Sequence, residues 1–186
     1  MHEDKTFQNI DYTEKTLANQ EFVDCIFQNC NFSKTDLNNA SFMDCVFTEC
    51  NFSMANVENL KLKTAKFINC KLMGLDFSAC NDFLFAVHFD NCTLDYASFF
   101  QKKIKNTIFW ACSMKEVDFT ETDLSMAIFK NCNLANAIFE RSILEKADFR
   151  TAKNYDFDPA LNKMKKAKFS YTGIAGLLTK FNIDIE

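Results

Sequence analysis

Every fifth residue from Tyr12 is apolar: Tyr12, Leu17, Phe22, Phe27 and onward in step to Phe77. The phase slips by two residues inside SACNDFLFAV and resumes at Leu84, after which Phe89, Leu94, Phe99, Ile104 and their successors run in step to Phe149. With about half of all residues apolar, so long an unbroken series arises by chance on the order of 10⁻⁹ of the time. The residue two places earlier is usually small, as at Cys30, Ala40, Cys50 and Thr122. The residue between is often Asn or Asp, as in TDL, CNF and ADF. A period of five fits neither the 3.6-residue helix nor the two-residue strand. It fits a chain that turns a corner every five residues, so that four sides close a square coil of twenty. Stacked coils would pair through backbone hydrogen bonds at the roughly 4.8 Å spacing of β-strands. The large residue would fill the centre and the small one the corner beside it.

The pattern small–Asn/Asp–Leu/Phe–x–x, in tandem over residues 12–151, resembles the pentapeptide repeat family. The resemblance implies an all-β fold, a right-handed quadrilateral parallel β-helix of about seven coils. The expected organisation is a β-helix over residues 1–151, with its phase slip at 78–84, followed by a cap and dimerisation tail over 152–186.

The first coil carries Lys15 and Gln20 where small residues are expected, which suits a terminal coil that meets water. Beyond Phe149 the period stops. Asp158 followed by Pro159 predicts the start of a helix. Ile174, Leu177, Leu178 and Phe181 then fall on one face of a second α-helix, and Phe181, Ile183 and Ile185 alternate as an extended end would. This apolar tail is expected to cover the C-terminal end of the stack. The resemblance extends to topoisomerase-protecting members, in which such a tail joins two monomers, and so implies a homodimer. Outward Ile108, Trp110, Ile128, Ile138 and Ile143 are expected to add an apolar interface near this end. The alternative is that they pack under the chain's own tail.

Composition changes the picture in one respect. There are 22 Phe but only 3 Gly and 1 Pro, which excludes a disordered or linker-rich chain. The start, MHEDKTFQNIDYTEK, is acidic and polar and offers no signal-peptide core; no apolar run is long enough to cross a bilayer. A cytoplasmic protein with reduced thiols and no membrane partner is expected. Of the 9 cysteines, Cys30, Cys50, Cys70, Cys92, Cys112 and Cys132 fall twenty apart once the slip is counted, a ladder at the small corner position, and Cys25 and Cys45 begin a second. Buried free cysteine acts as a small hydrophobe. Disulfides are the first alternative, against which stand parallel Cβ vectors and a reducing compartment. Metal is the second; there is no CxxC pair, and only His2 and His88 could assist.

No nucleophile motif, phosphate-binding glycine loop or paired-carboxylate pattern stands out, so neither enzyme activity nor a cofactor is expected. Residues 1–150 carry 21 acidic against 15 basic side chains. Sorted by side of the coil, Asp36, Glu58, Asp76, Asp118, Glu121 and Glu140 share one face, with Asp24, Asp44 and Asp123 on its neighbour. The family resemblance gives such a face a role: members without projecting loops bind DNA gyrase or topoisomerase IV as DNA mimics, countering quinolones or peptide toxins. No direct DNA binding is expected. On the neighbouring face Lys61 and Lys63, Phe83 and Phe85, then Lys103 and Lys105 form a basic, aromatic break, a pattern that also suits an interaction scaffold for some other partner. Against that stands local packing of both phenylalanines in the slip.

Overall fold

The computed structural model describes residues 1–184 and is a parallel β-solenoid. Its strands are short: β1 (His2–Glu3), β2 (Thr6–Gln8), β3 (Glu21–Val23), β4 (Ile26–Gln28), β5 (Ser41–Met43), β6 (Val46–Thr48), β7 (Lys61–Lys63), β8 (Ala65–Ile68), β9 (Val87–Asp90), β10 (Ile108–Trp110) and β11 (Ile128–Lys130). They form two parallel sheets. The first face is β1-β3-β5-β7, and the second is a seven-stranded ladder of β2, β4, β6, β8, β9, β10 and β11. Single bridges between turns make the third and fourth faces, such as Asn31↔Asn51 and Ser98↔Asp118. Partners stand twenty residues apart, as Phe27↔Phe47, except across the slip, where Phe67↔Phe89 stand twenty-two apart.

Three local devices make the corner. The chain enters the left-handed region once per pentad, at Asn9, Glu14, Asn19, Asp24, Asn29 and so on. Asn and Asp, which tolerate that region best among non-glycine residues, hold many of these positions, but Lys34, Met54, Tyr96 and Ala111 hold others, so stacking of the coil imposes the conformation even on side chains that do not favour it. The Asn or Asp before each core residue accepts the backbone N–H two residues on, as Asn51 does from Ser53 at 3.1 Å. The small residue does more than leave room. The Cys50 Sγ–H points at the carbonyls of Thr48 and Phe27, at 3.4 and 3.5 Å, and the Thr122 hydroxyl donates to Phe99 O at 2.7 Å. Corner Cys, Thr and Ser thus share one donor geometry, and all nine thiols are free and buried. Burial pushes the Cys45 and Cys80 thiols up to about 12, so neither is a nucleophile at neutral pH.

Inside, rings stack from coil to coil at 4.5–5.4 Å and meet edge-on across the coil, as Phe27 does with Phe47 (4.9 Å) and Phe32 (5.5 Å). The stack begins earlier than Tyr12: His2 lies over Phe22 and Phe7 over Phe27, each at 4.8 Å.

Three expectations are corrected. The inward series does not resume at Leu84, which is 53% exposed; the chain bulges over 81–86, Phe85 turns partway inward against Phe77, and regular pairing returns with Ala65↔Val87. The helix expected after Asp158 is a single 3₁₀ turn, Pro159–Leu161. Asp158 does cap it, accepting from Ala160 N at 2.8 Å, but the chain then rejoins the coil through Ile143↔Lys163 and Asp148↔Lys168, so edge pairing outcompetes helix propagation. The second helix is likewise two short 3₁₀ turns, Ile174–Leu177 and Thr179–Phe181. So short a segment does not repay the cost of helix nucleation. A side chain at Gly176 would also overlap the Tyr155 carbonyl, so close packing fixes this backbone. Tyr155, Phe157 and Phe169 close the C-terminal end of the core, with Leu177 packed against it.

Candidate interaction faces

Asp36, Asp76 and Asp118 stand at equivalent positions of the fourth face. Bridges Thr16↔Asp36↔Asn56 and Asp76↔Ser98↔Asp118↔Ile138 carry the ladder, so a carboxylate recurs on every second coil. Each accepts locally from the backbone of Asn38, Ser78 and Thr120 at 3.1, 2.9 and 2.8 Å, and Asp36 also accepts from Asn56 Nδ2 at 2.9 Å and Thr16 Oγ1 at 3.3 Å on the neighbouring coils. These residues therefore shape the turn as well as charge the surface. Glu58 and Glu140 are exposed on the same face. Glu121 is engaged: Gln101 donates to it at 2.8 Å and Arg141 Nε at 2.9 Å, and these bonds hold its carboxyl below the ordinary value. Arg141 also lies 3.9 Å from Glu140, so the C-terminal part of the stripe is partly neutralised.

The lysine break lies on the first face. Lys61 and Lys63 belong to β7, and Lys103 pairs with Asp123 in the ladder. Lys105 forms an ion pair with Asp123 at 3.2 Å. The bulge sits between these lysine pairs, tied down by Asn81 N to Leu60 O and Ala86 N to Leu62 O, both at 2.9 Å. The structure separates the two phenylalanines: Phe85 is half-buried, whereas Phe83 is 75% exposed. Sequence reasoning missed Lys102. It is 3% exposed, donates to Cys80 O and to Asp82 Oδ1 (2.6 Å), and lies over the Phe85 ring at 5.2 Å. The signal was available, because Lys102 occupies a corner position where the pattern demands a small residue.

In the tail, Leu177 and Leu178 are half-buried, while Ile174, Phe181 and Ile183 are exposed; Ile185 lies outside the described residues. Lys180 pairs with Asp158, and Thr179 bonds Asp156. The other outward apolar residues do not form one patch. Ile108, Trp110 and Ile128 lie on the second face, with Lys130 Nζ 3.9 Å over Trp110, whereas Ile138 belongs to the fourth face and Ile143 to the first. Among the described residues no cluster of His, Cys, Asp and Glu is arranged to hold a metal ion.

The family model for a pentapeptide repeat region matches residues 20–81 and 83–155, the two matches meeting within the bulge. The chain belongs to the pentapeptide repeat family. Among solved pentapeptide repeat structures, two trypsin-treated forms of QnrB1, a plasmid-mediated fluoroquinolone resistance protein, share its fold. One is 18% identical with a TM-score of 0.71, covering 100% of this chain and 91% of that one. The other is 17% identical with a TM-score of 0.55, covering 100% and 99%. No curated protein sequence matches this pentapeptide repeat chain.

Proposed function

We propose that this protein binds a bacterial type II topoisomerase, DNA gyrase or topoisomerase IV, in place of DNA, and so shields it from a quinolone or a peptide toxin. The observation that carries this reading is the ladder of Asp36, Asp76 and Asp118 along one straight face. It is supported by family membership and by the shared fold with a fluoroquinolone resistance protein. The protein acts by occupancy, without catalysis or a cofactor, in the cytoplasm. It works as a homodimer joined through the tail that exposes Ile174, Phe181 and Ile183, and it does not itself bind DNA.

Magnitude shapes the mechanism. Duplex DNA carries one charge per about 1.7 Å of axis. Carboxylates on every second coil recur at roughly 9.6 Å, and the added glutamates only partly fill the gaps. The face therefore answers a few basic side chains of a DNA-binding groove, and its binding should depend less steeply on salt than DNA binding does. The test is supercoiling by purified gyrase, with and without a quinolone, across a titration of the protein. Rescue from the drug, or inhibition at high protein, is expected from the wild type. Both should be lost in Asp36→Asn/Asp76→Asn/Asp118→Asn, which keeps the turn acceptors and removes the charge. An unaltered titration in that variant would remove the acidic face from the mechanism.

A second reading, an interaction scaffold with no topoisomerase role, is favoured by the lysine break around the bulge. It predicts no effect of the wild type on either enzyme.

A further inference from the structure

We infer that the bulge is a docking element, and that its partner is a protein offering an apolar pocket with a carboxylate rim. The inference does not depend on the topoisomerase reading. Two large apolar side chains, Phe83 and Leu84, stand side by side at 75% and 53% exposure on a surface otherwise set by a five-residue rule. Nothing in the core requires them there, since Phe85 already supplies the inward ring.

The bulge is also anchored. Lys102 is the sole buried lysine or arginine among the described residues. Its ammonium holds the Cys80 carbonyl and the Asp82 carboxylate while its charge faces the Phe85 ring. A buried ammonium is costly unless it is well bonded. Here it fixes the base of the excursion over 81–86, so the tip is preorganised, which lowers the ordering cost of docking.

Charge gives the rim. Lys61 and Lys63 lie on the coil before the bulge and Lys103 and Lys105 on the coil after it; among the described residues only Lys105 of these has an acidic partner, Asp123. An apolar knob between two lysine pairs is complementary to an apolar recess lined by Asp or Glu. Nucleic acid fits less well. The element is convex, and it offers one exposed ring where single strands need a series of stacking platforms in a basic groove.

The test uses the full chain labelled for amide NMR, titrated with an amphipathic peptide that carries leucines on one side and glutamates on the other. Controls are the same peptide with lysines for glutamates, a single-stranded oligothymidylate, and sedimentation velocity of the protein alone. Shifts confined to residues 61–63, 81–86 and 103–105 are expected with the glutamate peptide only. Affinity should fall at least tenfold in Phe83→Ser/Leu84→Ser and in Lys61→Glu/Lys103→Glu, which leaves the Lys105–Asp123 ion pair intact. Both variants alter exposed side chains and should melt as the wild type does. Lys102→Met keeps the knob but frees its base, and should weaken binding severalfold. No shift with the glutamate peptide, or shifts unchanged by Phe83→Ser/Leu84→Ser, would overturn the assignment. Tighter binding of the oligothymidylate would make the partner a nucleic acid, and self-association abolished by Phe83→Ser would make it a second copy; either outcome also overturns it.

Discussion

The two halves of the solenoid, before and after the bulge, fill the same square core differently. Before it, three of the four inward columns are aromatic: Phe22 and Phe42, Phe27, Phe47 and Phe67, and Tyr12, Phe32 and Phe52. The fourth holds Leu17, Leu37 and Val57. After it, rings occupy only the second and fourth columns, Phe89 to Phe149 and Phe99 to Phe139, while Ile104, Leu124 and Leu144 and then Leu94, Met114 and Leu134 fill the others. Backbone pairing changes with the rings. The first face is a sheet as far as Lys61–Lys63 and continues only as single bridges beyond the bulge. The bulge marks the handover, where the first column gives up its rings at Leu62 and the fourth gains them at Phe77. The pentad thus fixes which positions are buried, and total volume rather than a given ring at a given column fixes the coil.

Cavities should expose this difference most strongly. Phe47 is enclosed by Phe27, Phe32, Phe42, Phe52 and Phe67, rigid rings that cannot close over a void. Phe119 meets Phe99, Phe109, Phe129 and Phe139, with flexible aliphatic columns on the sides between them. Both alanine variants should lose about 3–5 kcal/mol in urea denaturation, with Phe47→Ala at the upper end because its site collapses least. A larger loss for Phe119→Ala would mean that the aliphatic columns do not relax, and the distinction between the halves would fail.

Next comes the junction. Asp82 is largely exposed, so losing its ion pair costs little. The Cys80 carbonyl, by contrast, takes a buried donor from Lys102. Lys102→Ala should destabilise by about 2–3 kcal/mol, from one unmet buried acceptor plus the emptied space over Phe85. Lys102→Met keeps the stem and should recover about half of that. Equal melting of Lys102→Ala and the wild type would show that the two halves join without this anchor.

Much of this was legible in the residues. The apolar pentads located the core from Tyr12 to Phe149, and the corner rule placed the cysteines. Phe7 and His2 continue the same phase toward the start, but a histidine hides the pattern. Leu84 and Phe85 could not be ranked, because both are apolar and only the pairing of Ala65 with Val87 decides which turns inward. Asp158–Pro159 is a genuine helix-start signal that loses to an available coil edge, a competition that no local pattern expresses. The acidic face followed from counting alone. That its aspartates also close turns depends on side-chain geometry, which the spacing does not contain.

The corners should behave alike where the cores do not, and this gives the smallest effect. Thr35 in the first half donates to Tyr12 O at 2.8 Å, and Thr122 in the second donates to Phe99 O at 2.7 Å. Both hydroxyls are fully buried. Each accepting carbonyl keeps a turn partner when the hydroxyl is removed, Lys15 N for Tyr12 and Lys102 N for Phe99, each at 2.9 Å. Thr→Val preserves shape and β-branching, so the loss is one hydrogen bond rather than an orphaned acceptor, about 1 kcal/mol at either site. Thr35→Val and Thr122→Val should therefore shift the urea midpoint equally. A clear difference between them would mean that the corner senses which columns carry rings, and that core and corner cannot be treated as separate layers of the same code.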